Sequence, residues 1–443
     1  MNDVKKSVGY GTRGWLLIIA SIFMNFMLAA ATGDSLNILA PTFEETFGWN
    51  QSSIYLLASF GMWIAAAVSV LFSYLLKNWK DSAKKISIIT LAVTTVSIVL
   101  WGFCTQFWQF AVLFFIVDVC VNLAAYYGSN TLISNWFPKK KGSAIGIATT
   151  GMNAASFAIV WIIMLGWNLL GWHGGFYIFA FLAFIPLILI IFCVKEYPER
   201  CGCFPDNDSS MSREEAQALM ALEEKYDKTS YFTVKNSLKN KQMWKIAIGC
   251  GLTMMATCIV YQFIACFTAR GYSETEAAIY LTITGIVAIP CSIVLGIFDQ
   301  KKGSKKACLV VAGMCAMGMI CLAIPVGWLI YPGILGVAFC LGTTNNVLMS
   351  MTATVFGRYD YKSVYAVIAP IYIFITGCGS FLISKLCEVS GSYALPCYIM
   401  AGLCIIAFII FLTIDDTLIG RTDEDIKKLF DEEQAKAEVK SAE

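Results

Sequence analysis

Twelve mostly apolar stretches, each long enough to cross a lipid bilayer, succeed one another along this chain of 443 residues. They run over 14–40, 52–76, 86–103, 107–134, 142–167, 174–194, 243–268, 276–298, 307–324, 326–354, 363–387 and 392–414. A crossing helix needs about 20 such residues. Hydrocarbon offers the backbone no hydrogen-bond partner, so runs of this length are expected to be helices. The basic residues give an independent check on the count. With the N-terminus in the cytoplasm, 30 of the 32 lysines and arginines fall in segments on that side, and only Arg270 and Lys385 fall on the other. That bias follows the positive-inside rule, and a wrong number of spans would scramble it. Charged residues make up 14% of the chain, against about 25% in soluble domains. The sequence therefore predicts an all-α, multi-pass protein of the cytoplasmic membrane with both termini in the cytoplasm. Lys5, Lys6 and Arg13 before an apolar run ending in Ala29-Ala30-Ala31 also fit a cleaved signal peptide. Removing that run would break the count and the repeat described next, so it is read as span 1.

One long polar segment divides the spans into two sets of six. The expected organisation is an N-terminal six-helix bundle over 1–194, a cytoplasmic linker over 195–242, a second six-helix bundle over 243–414 and a cytoplasmic tail over 415–443. Within the linker, Ser212-Arg213-Glu214-Glu215 reads as a capping box opening a short helix through Lys225. The two halves repeat in the same orientation. "FGWNQSS" (47–53) enters span 2 as "RGYSETE" (270–276) enters span 8, and the basic loop 77–85 corresponds to 300–306. "NWFPKKKGSAIG" (135–146) corresponds to "VFGRYDYKSVYA" (355–366). Six plus six parallel repeats suit the major facilitator fold, in which the binding site lies between the halves.

Several stretches resemble one branch of that superfamily. "NWFPKKKGSAIGIATTGMNAASF", "EYPERCGCFPD" (196–206) and "PTFEETFGWNQSS" are similar to the loop and fifth span, the element after span 6, and the end of span 1 of oxalate:formate antiporter-like and monocarboxylate transporters. The resemblance covers most of the chain and implies a secondary transporter of small organic acids. It also implies that spans 1, 4, 7 and 10 line a central cavity and that the loops after spans 2 and 8 act as latches. The first of those loops, "SYLLKNWKDSAKK", departs from the superfamily pattern. The second, "GIFDQKKGSKK", keeps it, which makes Asp299 and Gly303 gating candidates. Members that carry carboxylates place an arginine in span 8 or a lysine in span 11, and this chain has neither inside those spans.

Polar side chains inside a span face protein or a water-filled cavity. Spans 6, 9 and 12 carry almost none and are expected to face lipid. Span 1 carries Asn25, Thr32, Asp34 and Asn37, and span 4 carries Asp118, Asn122 and Tyr126 at intervals of four. Span 7 carries Thr253, Thr257 and Tyr261 on one stripe with Gln262 beside it, and span 10 carries Asn345, Asn346 and Met349. Threonines in helices often bond their own backbone, so Thr253 is read as structural. The candidate solute-binding set is Asp34, Asn37, Asn122, Tyr126, Thr257, Tyr261, Asn345 and Asn346. Asp34 stands near where some monocarboxylate transporters place a substrate-facing lysine, so the charge there is inverted. No basic residue in the spans is placed to neutralise Asp34 or Asp118. They are expected to form a proton-coupling pair; the alternatives are direct binding of a cationic, zwitterionic or neutral solute, or capping of polar gaps between helices.

Other function classes find little support. No P-loop pattern is present, and no basic patch suggests nucleic acid. The C-x-C of Cys201 and Cys203 has no second pair, and His173, read here in an outside loop, is the chain's one histidine. Neither a metal site nor a cofactor is expected. The partners expected are a small solute and the lipid bilayer, with the chain a monomer and not an enzyme. A transporter-like receptor without flux is the competing class.

Overall fold

The computed structural model describes residues 9–75, 82–138, 140–208, 230–422 and 425. The expected linker helix at 212–225, most of the loop after span 2 and most of the tail lie outside the described residues. Among the described residues, twelve helices are long and apolar enough to cross a membrane: Gly11–Asp34, Gln51–Val68, Ala83–Trp101, Phe107–Trp136, Ser143–Leu170, Trp172–Phe192, Lys241–Thr268, Glu274–Lys302, Ser304–Ala323, Gly327–Gly357, Ser363–Ser390 and Ala394–Leu412. They are spans 1 to 12 below. No strand occurs among the described residues. With an even number of spans, span 1 begins and span 12 ends on one face, called the terminal face here; the other is the distal face.

The repeat read from sequence reappears in the backbone. Gly48 and Gly271 each follow a helix with positive φ, +70° and +87°. Span 2 then opens at Gln51 and span 8 at Glu274, where Ser273 and Glu276 close a capping box. Each pair is 223 residues apart. Elsewhere the halves differ. The segment between spans 10 and 11 is a tight corner, with helical turns on both sides of Gly357 (φ +70°). His173 lies not in a loop but in the first turn of span 6, its ring stacked on Phe103 at 4.4 Å. The connection before it shrinks to Gly171, whose φ of +69° favours glycine. Gly166 and Gly174 then bring spans 5 and 6 into backbone contact. Spans 6, 9 and 12 each keep an exposed apolar stripe, including Phe181, Met317 and Ile405.

The segment after span 6 is a strap on the terminal face. The Glu196 carboxylate accepts from the backbone N–H groups of Ala83 and Lys84, which open span 3, at 3.3 and 2.8 Å. A carboxylate there satisfies orphan donors and complements the helix dipole. Trp136 donates to the Lys195 carbonyl, and the Lys140 amide and ammonium reach Asp206 at 2.9 Å each. The two stretches that carry the resemblance on this face therefore dock against each other. A second strap closes the other half. Buried Asp360 accepts from Ser230 at 2.6 Å and pairs with Arg421 at 2.8 Å.

The halves meet mainly where span 2 packs on span 11, span 5 on span 8 and span 1 on span 7. Their cross-half hydrogen bonds lie toward the distal face. Ser52 bonds Ser384 and Glu388, Trp63 bonds the Phe374 carbonyl, and Trp161 bonds Thr282. Spans 4 and 10 share no substantial contact among the described residues. Tyr126 on span 4 is 51% exposed and Met349 on span 10 is 43% exposed. Among the described residues the hydrogen bonds that join the halves thus gather toward the distal side.

Candidate functional site

Three of the spans expected to line a cavity lose α-helical geometry midway. Span 1 widens into a π-turn at Ala30–Asp34, where Ser35 N–H reaches back to the Ala30 carbonyl at 3.0 Å. Span 4 does the same at Leu123–Ser129, and span 7 tightens into a 3-10 turn at Cys258–Gln262. Such irregularities often accompany functional sites because they redirect side chains that a regular helix would leave on its packed face.

Both acids sit beside these turns. Asp34, the last residue of its π-turn, is buried and accepts a hydrogen bond from Ser156 of span 5 at 3.0 Å. Asp118 is fully buried one turn before the other π-turn. Its Oδ1 accepts from Asn122 at 3.1 Å, while its Oδ2 has no hydrogen-bond partner. Oδ2 faces the backbone of span 2 at Gly61, where any added Cβ would meet it. Neither carboxylate is paired with a cation among the described residues. The two distal basic residues are engaged elsewhere: Arg270 bonds the Leu322 carbonyl and Lys385 pairs with Glu388 at 3.0 Å.

The Tyr261 ring lies against the π-turn at Gly33, the residue before Asp34. Tyr365 of span 11 stacks on Tyr361 at 5.3 Å, and Tyr126 of span 4 is half exposed. The remaining candidates divide. Asn345 accepts from Tyr372 at 2.8 Å, and exposed Asn346 donates to Ser292 of span 8 at 2.7 Å. Thr257 is buried and donates to its own helix at the Met254 carbonyl, 2.7 Å away. Asn37 is fully buried with its amide committed to backbone. Asp299 and Gly303 lie apart from this group. Asp299 accepts from Ser350, which shares a hydrogen bond with Ser304 at 2.8 Å, so the network joins spans 8, 9 and 10 inside one half. Gly303, with φ +90°, makes the turn between spans 8 and 9.

Sequence reasoning passed over Ser156, Ser292, Tyr365 and Tyr372. The two tyrosines were findable, since residues seven apart share a helix face. No group of three or more His, Cys, Asp or Glu able to hold a metal occurs among the described residues.

Comparison with known proteins fits this arrangement. The MFS-type transporter pynF of Aspergillus niger (strain ATCC MYA-4892 / CBS 513.88 / FGSC A1513) is 26% identical over 196 residues, which are 41% of this chain and 42% of that protein. The similarity thus spans less than half of that relative. Among solved structures, the inward-open xylose transporter XylE from E. coli superposes with a TM-score of 0.70 at 14% identity, covering 94% of this chain and 99% of that one. The nucleoside transporter NupG (D323A mutant) superposes at 0.65 and 16% identity, covering 90% and 99%. These identities speak for the fold alone. A family profile matches residues 16–372, and on that extent the chain belongs to the Major Facilitator Superfamily.

Proposed function

We propose that this chain is a secondary active transporter that moves a small organic solute across the cytoplasmic membrane by alternating access, with Asp34 and Asp118 carrying the coupled proton. One observation carries the reading: two buried carboxylates without a basic partner flank helix irregularities on spans 1 and 4. A structural carboxylate would gain from a cation or a full set of donors, whereas Asp118 Oδ2 has neither. The basic residues assign the terminal face to the cytoplasm. On that assignment the hydrogen-bonded seam between the halves faces outward.

The solute is an organic acid, in keeping with the resemblance to oxalate:formate and monocarboxylate transporters. With no cation paired to Asp34 or Asp118 among the described residues, the proton supplies the charge balance, and anion and proton cross as a neutral pair. Asn122, Tyr126, Tyr261, Asn345 and Asn346 offer the solute its hydrogen bonds, and Thr257 shapes the wall beside Tyr261. Asp299 and Gly303 set the rest position of spans 8 to 10 during gating. A second reading is favoured by the same bare carboxylate: a cationic or zwitterionic solute that pairs with Asp118 directly, its charge over the tyrosine faces.

The test is flux into proteoliposomes holding the purified full chain, with the pH lower outside. Labelled oxalate, lactate, choline and glucose serve as probes. An acid accumulating above its outside concentration supports the first reading. Choline accumulating while the acids do not gives the second. Absence of flux for solutes that bind leaves a receptor.

A further inference from the structure

We infer that Asn37 is the latch that holds the distal face shut, a role for which its place on the repeat axis suits it. The inference rests on the alternating-access reading, but its geometry stands separately. Asn37 Nδ2 donates to the Val260 carbonyl at 2.8 Å and to the Asp34 carbonyl at 3.2 Å, and Oδ1 accepts from Ile264 N–H at 3.4 Å. The side chain is fully buried. One amide, on the helix Leu36–Phe47 that continues span 1 past its π-turn, thus joins the first half of the molecule to span 7 of the second.

The numbering of the pair carries the argument further. Gly48 matches Gly271, and Gln51 matches Glu274, each at a separation of 223 residues. Asn37 and Val260 are also 223 residues apart. Asn37 therefore bonds the residue that occupies its own position in the other half. In two related halves, equivalent positions touch only at the axis that relates them. The latch sits at that point, between the π-turn of one span and the 3-10 turn of the other, whose backbones are themselves in contact. Valine cannot return the bond, so the side-chain hydrogen bonds at this junction rest on Asn37 alone among the described residues.

At the axis the halves must separate when the distal face opens. A seam closed by apolar contact alone gives way gradually. A dry amide holding carbonyl and N–H groups of the opposite half gives a closed state with a defined geometry, and water satisfies the same groups once the seam parts. Losing the two bonds that cross the seam should shift the balance of the two states by about tenfold. The further distal bonds, Ser52 to Ser384 and Glu388, close the rim and leave the axis to Asn37.

The experiment is hydrogen–deuterium exchange on the purified full chain without solute, comparing wild type with Asn37→Leu, close in size, and Asn37→Ala, which cannot clash. The expected result is reciprocal. Segments 37–60, 258–272 and 376–392 exchange about tenfold faster, while 130–138 and 350–357 on the terminal side become more protected as that side closes. Unchanged exchange in a folded variant overturns the latch. Faster exchange on both faces together also overturns it, because a residue that merely supports packing would loosen both. If Asn37→Leu does not fold, Asn37→Ala decides by the same criteria. No solute enters the measurement, so failure of the transport reading would appear in flux and failure of the latch in exchange.

Discussion

Asp34→Asn and Asp118→Asn are each expected to end proton-driven accumulation while leaving solute exchange in place. The asparagine oxygen can still accept from Ser156 or Asn122, so the fold keeps its hydrogen bonds and loses only a titrating group. For one proton carried with one monoanion, a pH difference of one unit supplies about 1.4 kcal/mol, enough to concentrate the solute about tenfold on the less acidic side. The variants should bring the solute only to equal concentrations inside and outside. The measurement is uptake with and without an imposed pH gradient, paired with exchange of labelled for unlabelled solute at equal pH. Variants that concentrate solute as wild type does would make both carboxylates structural. Loss of exchange as well, for a solute bearing an amine, would make them its direct binding partners.

Gly151→Leu should leave almost no folded protein. A Cβ at Gly151 would press on the Ile22 carbonyl and the Phe26 amide of span 1, so the obstacle is backbone with no rotamer by which to move aside. Spans 1 and 5 would have to separate at the pair that also holds Asp34 to Ser156. Overpacking a fitted contact costs about 1–3 kcal/mol where side chains can yield, and more is expected here. Gly146→Leu is the control. It lies on the same helix with open space before it, and it should fold with a melting temperature near that of wild type. Size-exclusion profiles and thermal unfolding in detergent would compare the two. Equal yields would mean that the close approach of spans 1 and 5 is not required.

The twelve spans were legible because their signals are additive. Twenty apolar residues in a row and a one-sided distribution of lysine survive any detail of packing. The glycine turns at 48 and 271 were legible for the same reason, each lying inside a short repeated phrase. The site was harder. Asp34 and Asp118 announce themselves because a carboxylate within hydrocarbon is costly, but nothing in "AATGD" or "LAAYYGS" specifies a π-turn. Asn37 was read as solute-binding because an amide in a span suggests a ligand. Its partners are backbone groups on a distant span, which no side-chain pattern encodes. Thr257 shows the converse, a polar group satisfied within its own helix. The resemblance draws attention to cations in span 11, and the span carries the phenols of Tyr365 and Tyr372 instead.

The straps of the terminal face have a consequence for how the polypeptide can be made. Residues 196–206 grip the first half through Glu196 and Asp206, and residues from Ser230 onward grip the second through Asp360. A break in the chain between 209 and 229 severs neither set of bonds. Two open reading frames, ending and beginning inside that interval, would each encode a half with its own strap. The distal seam would then supply the surface on which they find each other. Covalent continuity in this molecule fixes the ratio of its halves at one to one and spares them a search in two dimensions.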